Sequence, residues 1–207
     1  MGWDGMNRIY LIRHGQTEWN RQNRYQGWSD VPLNDTGKQQ AREVGKVFAD
    51  NAPAVIYTSE LVRAEETAGI IGSMSNIPVK KTGKLNELSF GEWEGRTHEE
   101  IARDYPSYWE RLRKNPGDFR APGGESVKEL HTRVGSIWGT IREESASPVL
   151  VVTHGGALRT LILEILESSL DSFWRIRLDF CSISRVDTYD NHCIVASLND
   201  TSHLNIG

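Results

Sequence analysis

At 207 residues and a formal net charge of −4, the chain suits one large α/β domain with a substantial core. Its Lys and Arg are scattered, without the basic stripe that general nucleic-acid binding calls for. Met1-Gly2-Trp3-Asp4-Gly5-Met6 lacks the basic region and apolar core of a signal peptide, Met6 stands where a myristoylation motif wants Ser or Thr, and no apolar run reaches membrane-spanning length.

The first predicted strand covers residues 7–13 and ends at Arg13-His14-Gly15. A polar, aromatic loop runs from Gln16 to Val31. A helix is predicted from about Thr36 to Asp50, with Ala41, Val44 and Phe48 on one stripe and Asn34 or Thr36 as its cap. Pro53 introduces a short strand, Ala54 to Tyr57, ending at Thr58-Ser59. Residues 61–74 follow as a helix with Ala64, Ala68 and Ile71 spaced for burial, and Pro78 precedes a short strand around Val79.

The stretch from about 85 to 125 is rich in Glu, Arg, Trp, Pro and Gly, with helices only at about 97–104 and 107–114. It reads as an insertion, about 88–125, capping a crevice. Thr97-x-x-Glu100 and Ser126-x-x-Glu129 are capping boxes. The second opens a long amphipathic helix carrying Val127, Leu130, Val134, Ile137, Trp138 and Ile141. Val149 to Thr153 forms another apolar strand that stops at His154-Gly155-Gly156, and a helix follows from about Gly156 to Glu167. Leu158, Leu161, Ile162, Ile165 and Leu166 cover much of its circumference, which predicts deep packing.

Strands near 182–188 and 192–198 close the chain. If Asp190-Asn191 is their turn, Cys193 falls opposite Thr188 and Cys181 lies far from both. The two cysteines therefore remain thiols, as befits a soluble protein of the reducing cytoplasm. Strands alternating with helices predict an α/β three-layer sandwich, a mainly parallel sheet with helices on both faces and a short cap, in a single domain.

Two of the six histidines, 140 residues apart, thus sit where an apolar strand gives way to glycine. That is the carboxyl end of the strand, where open α/β sheets form their ligand crevices. Arg13 adds a permanent cation beside His14. Arg63, on the first turn after another strand, can face the same crevice, and paired guanidinium forks suit a phosphate or carboxylate. With His154 and the amides that start the helix after Gly155, these groups make an anion trap. A neutral histidine can attack phosphorus and hold the phosphoryl group covalently. The leaving alkoxide then needs a proton. Glu87, at the start of the capping segment, is best placed to supply it, with Glu92 and Glu94 not separable by spacing. Gly83-Lys84 fails as a phosphate loop, because Pro78 replaces the first glycine and Leu85 the Ser or Thr. The remaining histidines, His98, His131, His192 and His203, show no metal-ligand spacing.

Leu11-Ile12-Arg13-His14-Gly15-Gln16-Thr17-Glu18-Trp19-Asn20 resembles the signature of the histidine phosphatase superfamily, the phosphoglycerate mutase-like proteins. The resemblance continues in family order through Arg24–Leu33, Ser59–Ala68, Asn86–Gly95, Gly123-Gly124-Glu125-Ser126 and Val151–Gly156, and spans residues 8 to about 200. It implies that His14 is the phosphorylated nucleophile and that Arg13, Arg63 and His154 bind the phosphoryl group. Glu87 is then proton donor and later the base for water, while Asn20, Thr17, Gln26, Gly27 and Gly155 contribute to substrate binding. It also implies no metal, no other cofactor, and a small phosphorylated metabolite as partner, with the chain a monomer or homodimer.

Phe90-Gly91-x-Trp93-Glu94-Gly95 and Asn199–Leu204 are similar to the small phosphatases of the α-ribazole phosphatase and broad-specificity kind. The compact 95–125 stretch lacks the longer, Lys- and Tyr-containing insertion of phosphoglycerate mutases. The implied activity is a metal-independent phosphomonoesterase acting through phosphohistidine, with α-ribazole 5′-phosphate among the expected substrates. Two alternatives stand beside it: mutase-type phosphoryl transfer, and a non-catalytic module that only binds phosphate ligands.

Overall fold

The structure is a computed structural model and describes residues 6–144, 147–190 and 192–204, apart from the side chains of Trp109 and Arg113. The readings of Met1–Gly5 and of Asn191 as a turn residue fall outside the described residues. In chain order the elements are β1 (Asn7–Arg13), α1 (Glu18–Arg21), α2 (Asp35–Val47), β2 (Val55–Thr58), α3 (Val62–Ser75) and β3 (Val79–Lys81). They continue as α4 (His98–Asp104), α5 (Pro106–Lys114), α6 (Val127–Arg142), β4 (Val149–Thr153), α7 (Gly155–Ile165), β5 (Ile183–Thr188) and β6 (Cys193–Asp200).

The six strands form one sheet in the order β3-β2-β4-β1-β5-β6. Pairings β3–β2, β2–β4 and β4–β1 are parallel, while β1–β5 and β5–β6 are antiparallel. Because strand side chains alternate between faces, β1 sends Ile9 and Leu11 to one core and Ile12 to the other. In the same way β4 divides Val149 and Val151 from Leu150 and Val152. The first core is closed by α6, α7 and the apolar residues of the cap, including the fully buried Trp93 and Phe119. The second is closed by α2 and α3 through Ala41, Val44, Phe48, Ala64, Ala68 and Ile71. The expected three-layer α/β architecture is present, its mainly parallel sheet flanked on both faces.

Local signals act where the sequence places them. Asn34 caps α2 through its side chain, and both capping boxes, at Thr97 and Ser126, are formed. Cys193 pairs with Thr188, and Cys181 and Cys193 are free thiols. Two expectations need correction. The helix after His154 stops at Ile165, with Glu167 in the left-handed region, so Leu166 is half exposed instead of packed. The loop after Gly15 contains a helical turn, α1, whose capping box pairs Thr17 with Asn20, where the familiar pattern has Glu or Gln.

Candidate active site

Strand register builds the site. Arg13 pairs with Thr153 across the parallel β1–β4 ladder, so His14 and His154 follow on neighbouring strands. The His14 amide donates to the Thr153 carbonyl at 2.8 Å. The imidazole centroids are 5.1 Å apart and both rings are buried.

Each ring is held in one tautomer by its neighbours. His14 Nδ1 lies 2.7 Å from the Gly15 carbonyl, which can only accept, so Nδ1 carries the hydrogen and Nε2 keeps its lone pair. His154 Nε2 lies 2.8 Å from Ser59 Oγ, whose own hydrogen goes to Asn86 Oδ1 at 2.9 Å. Asn86 Oδ1 also accepts from the Glu60 amide, which fixes it as the oxygen. His154 therefore donates through Nε2, and its buried Nδ1 has no partner. Burial, reinforced by Arg63 and Arg13, holds both imidazoles well below the ordinary histidine range. At neutral pH both are uncharged.

The cations are wedged in by backbone and aromatic contacts. Arg13 donates through Nη1 to the Leu178 carbonyl at 2.7 Å and stacks 3.9 Å from the Phe180 ring centroid. Arg63 donates from Nη1 to the Ser29 carbonyl and from Nη2 to those of Gln26 and Gly27, at 2.7–3.0 Å. Burial lowers both guanidiniums to about 10, with Arg159 adding to the effect on Arg13, and both remain charged at pH 7. Their Nε atoms are buried without partners. Leaving such donors unsatisfied is costly, and an oxyanion removes the cost.

Of the three carboxylates left open by spacing, only Glu87 lines the cleft, whose volume is about 470 Å³. Its Oε2 accepts from the Gly156 amide at 3.1 Å, at the start of α7, and its Oε1 from the Leu88 amide at 2.8 Å. A side chain on Gly156 would run into this carboxylate. Glu94 accepts instead from the amides of Trp28, Ser29 and Phe90 and from the Ser29 hydroxyl, stitching the 27–29 loop to the cap. Glu92 is exposed and accepts from the Tyr105 hydroxyl.

The other candidates divide. Asn20, Gln26 and Gly155 line the cleft. Asn20 Oδ1 accepts from the Thr17 amide, leaving Nδ2 outside the cap. Thr17 does not reach the cleft: it is fully buried, its hydroxyl donates to Gln26 Oε1 and it accepts from the Asn20 amide. Gly27 is also buried, and a Cβ there would strike Glu94 and the Leu88–Phe90 backbone, so its part is close approach and a carbonyl for Arg63. Arg24 lines the cleft, whereas Arg175 and Arg177 are exposed. The Asn199–Leu204 segment acts as a brace, with His203 Nε2 on the Cys181 carbonyl at 3.0 Å and the Cys181 amide on the Arg13 carbonyl at 2.9 Å. Among the described residues no group of three or more His, Cys, Asp or Glu is placed to hold a metal ion.

Sequence reasoning missed Arg159, which lines the cleft from α7. Its Nε donates to the Ile176 carbonyl at 2.9 Å, and its guanidinium lies 5.6 Å from the Phe173 ring and 5.2 Å from that of Trp174. Its position four residues after Gly155, one turn along the same helix face, was the available signal.

A sequence profile of the histidine phosphatase superfamily (branch 1) matches residues 9–201. The chain belongs to this superfamily. It is 36% identical over 205 residues to probable phosphoglycerate mutase GpmB of Salmonella paratyphi C, covering 96% of this chain and 95% of that one. Among solved structures it is similar to Bacillus stearothermophilus YhfR, with a TM-score of 0.88, 33% identity, and coverage of 95% of this chain and 98% of the other. Similarity to the α-ribazole phosphatase of Shigella flexneri has a TM-score of 0.86 at 28% identity, covering 93% of this chain and 96% of the other. Histidine phosphatase membership makes phosphatase- or mutase-type phosphoryl transfer the chemistry of this fold, and the polar atoms of the cleft are read below in that light.

Proposed function

We propose that this histidine phosphatase superfamily member is a metal-independent phosphomonoesterase that hydrolyses small phosphate esters through a phosphohistidine at His14. One observation carries the reading: buried His14 keeps an Nε2 lone pair, its ring lies 5.1 Å from that of His154, it feels the charges of Arg63 and Arg13, and each of these three neighbours has a buried nitrogen without a partner. Nε2 attacks phosphorus, the bond from phosphorus to the ester oxygen breaks, and that oxygen takes a proton from the Glu87 carboxyl. Charge developing on the imidazole is met by the Nδ1–H bond to the Gly15 carbonyl. Water then attacks the phosphohistidine, its proton passes to Glu87, and the N–P bond electrons return to Nε2. Arg13, Arg63 and a His154 that takes up a proton from solvent as the phosphate ester binds balance the charge on the equatorial oxygens.

Hydrolysis is favoured over phosphoryl return because the cap consists of two short helices and turns beside an open cleft, which admits water. The α-ribazole phosphatase of Shigella flexneri makes α-ribazole 5′-phosphate a first substrate to try. The name carried by the Salmonella relative favours mutase-type transfer as the second reading.

Phosphate release from a panel of α-ribazole 5′-phosphate, phosphoserine, sugar phosphates and phosphoglycerates separates the readings. The expected result is free phosphate with an acid-labile phosphoprotein that disappears in His14→Ala, inhibition by vanadate, and indifference to chelators. Interconversion of phosphoglycerates without phosphate release would assign a mutase, and binding without any His14-dependent turnover a non-catalytic module.

A further inference from the structure

The Gly123-Gly124-Glu125-Ser126 motif does not line the cleft, and neither does Arg133, on the second turn of α6, although the charge of Arg133 adds a minor part to holding His154 low. The two side chains nevertheless meet in a half-enclosed pair, 15% and 19% exposed, against the segment that carries Glu87. Arg133 makes six hydrogen bonds there. Its Nε and Nη2 hold the two oxygens of Glu125 at 3.0 and 2.7 Å. Its Nη1 reaches the carbonyls of Gly83, Lys84 and Asn86 at 3.2, 3.0 and 2.9 Å, and its Nη2 that of Glu87 at 3.2 Å.

A planar guanidinium can face a carboxylate on one edge and a row of carbonyls on the other, and charge roughly doubles the strength of each bond. A lysine ammonium offers no such plane. Glu125 is in turn anchored, its amide donating to the Ser89 carbonyl at 2.9 Å. Gly124 packs so tightly on that carbonyl and on Gly91 that a side chain would not fit. The Glu87 carbonyl has a second donor in Trp28 Nε1 at 2.7 Å. Glu87 is thus fixed twice, its main chain from α6 through Arg133 and its carboxylate from α7 through the Gly156 amide.

We propose that Arg133, oriented by Glu125, is a positioning residue that sets where the Glu87 carboxyl lies relative to the ester oxygen without itself touching substrate. This rests on the reading of Glu87 as the proton donor. Holding a general acid in place is needed most when the leaving alcohol is a poor one. The same carboxylate activates water in the second step, so its displacement also slows breakdown of the phosphohistidine.

The test compares wild type, Arg133→Lys and Glu125→Gln on an alkyl phosphate and on p-nitrophenyl phosphate, with kcat/KM reporting phosphoryl transfer to His14. The expected loss in kcat/KM is on the order of 10- to 100-fold for the alkyl ester and within about threefold for the aryl ester, on which the steady-state fraction of phosphohistidine should rise. Equal losses on both esters would overturn the proposal. So would an unchanged ratio accompanied only by a lower melting temperature, which would make the pair a fold support alone. Glu125→Gln keeps Arg133 and its carbonyl bonds, and supplies the same readout if Arg133→Lys does not fold. Wild type is tested alongside: absence of acid-labile phosphate on its His14 would sink the phosphohistidine reading itself, a result distinct from any ratio measured on the variants.

Discussion

The sheet side and the cap side of the cleft are held in place by different means. On the sheet side, His14 and His154 extend two strands whose register is fixed along a five-residue ladder, and Arg13 leans on the Leu178 carbonyl and the Phe180 ring. On the cap side, turns and short helices are tied down by single carboxylates. Glu94 gathers the 27–29 loop, Glu125 orients Arg133, and Glu87 bridges to α7. The sheet side offers many small contacts and little freedom, whereas the cap side concentrates its order in a few polar groups. Damage to the first should therefore abolish chemistry on every substrate, and damage to the second should discriminate between substrates.

His14→Ala tests the sheet side most severely. Activity on all esters is expected to fall on the order of 10⁴-fold or more, with no phosphoprotein in acid-quenched single turnovers. A residual rate that still depends on leaving group in the wild-type manner would show another nucleophile. Glu87→Gln strikes the opposite side. It should lower kcat/KM for alkyl esters on the order of 10²-fold or more and leave activated aryl esters nearly unaffected. Uniform loss would erase the contrast and point to another acid.

Glu94→Ala probes the cap as structure. It leaves the amides of Trp28, Ser29 and Phe90 and the Ser29 hydroxyl without their acceptor, and should cost about 3 kcal/mol in urea unfolding. Glu94→Gln, which keeps one acceptor oxygen, should lose less.

The imidazoles make a pH-dependent version of the comparison. Both are neutral in the free fold and ordinary in the unfolded chain. Between the lowered native values and about 6.5, the unfolded chain binds more protons, so stability falls as pH drops through that window, by up to about 1.4 kcal/mol per unit for each ring. Binding an oxyanion should reverse the preference. His154 Nδ1 needs a proton to donate to it, so vanadate or phosphate binding near pH 7 should take up roughly one proton, measurable by calorimetry in buffers of different ionisation enthalpy. Zero uptake would mean that His154 meets the anion as a neutral ring. Smallest of all, Arg177→Ala should change activity within about twofold, since its side chain is 83% exposed and pairs with Asp179 two residues away.

How much of this was legible in the chain follows from the same contrast. Continuous apolar runs marked β1 and β4, and the His-Gly steps after them marked where a ligand would sit, because burial on both faces leaves an unmistakable pattern. Caps at Asn34, Thr97 and Ser126 were readable because their partners lie three residues away. The cap's staples were not. Glu94 and Ser29 are 65 residues apart and Arg133 and Glu87 are 46 apart, and no local period reports such pairs. Thr17 was assigned to the substrate because it belongs to a ligand-binding stretch, whereas its hydroxyl is fully engaged inside the loop. Arg159 was passed over among apolar neighbours although its helical spacing from Gly155 was visible.

The placement of β4 between β1 and β2 bears on biosynthesis. Strand β4 is made roughly ninety residues after the second of its neighbours, so a nascent chain that has emerged only through the cap has His14, Arg13 and Arg63 but no partner imidazole, no Arg159 and no amide for Glu87. Pairings of such long sequence separation form late. A chain that lacks β4 should therefore be inactive, and recovery of activity on refolding should report when β4 has docked between β1 and β2.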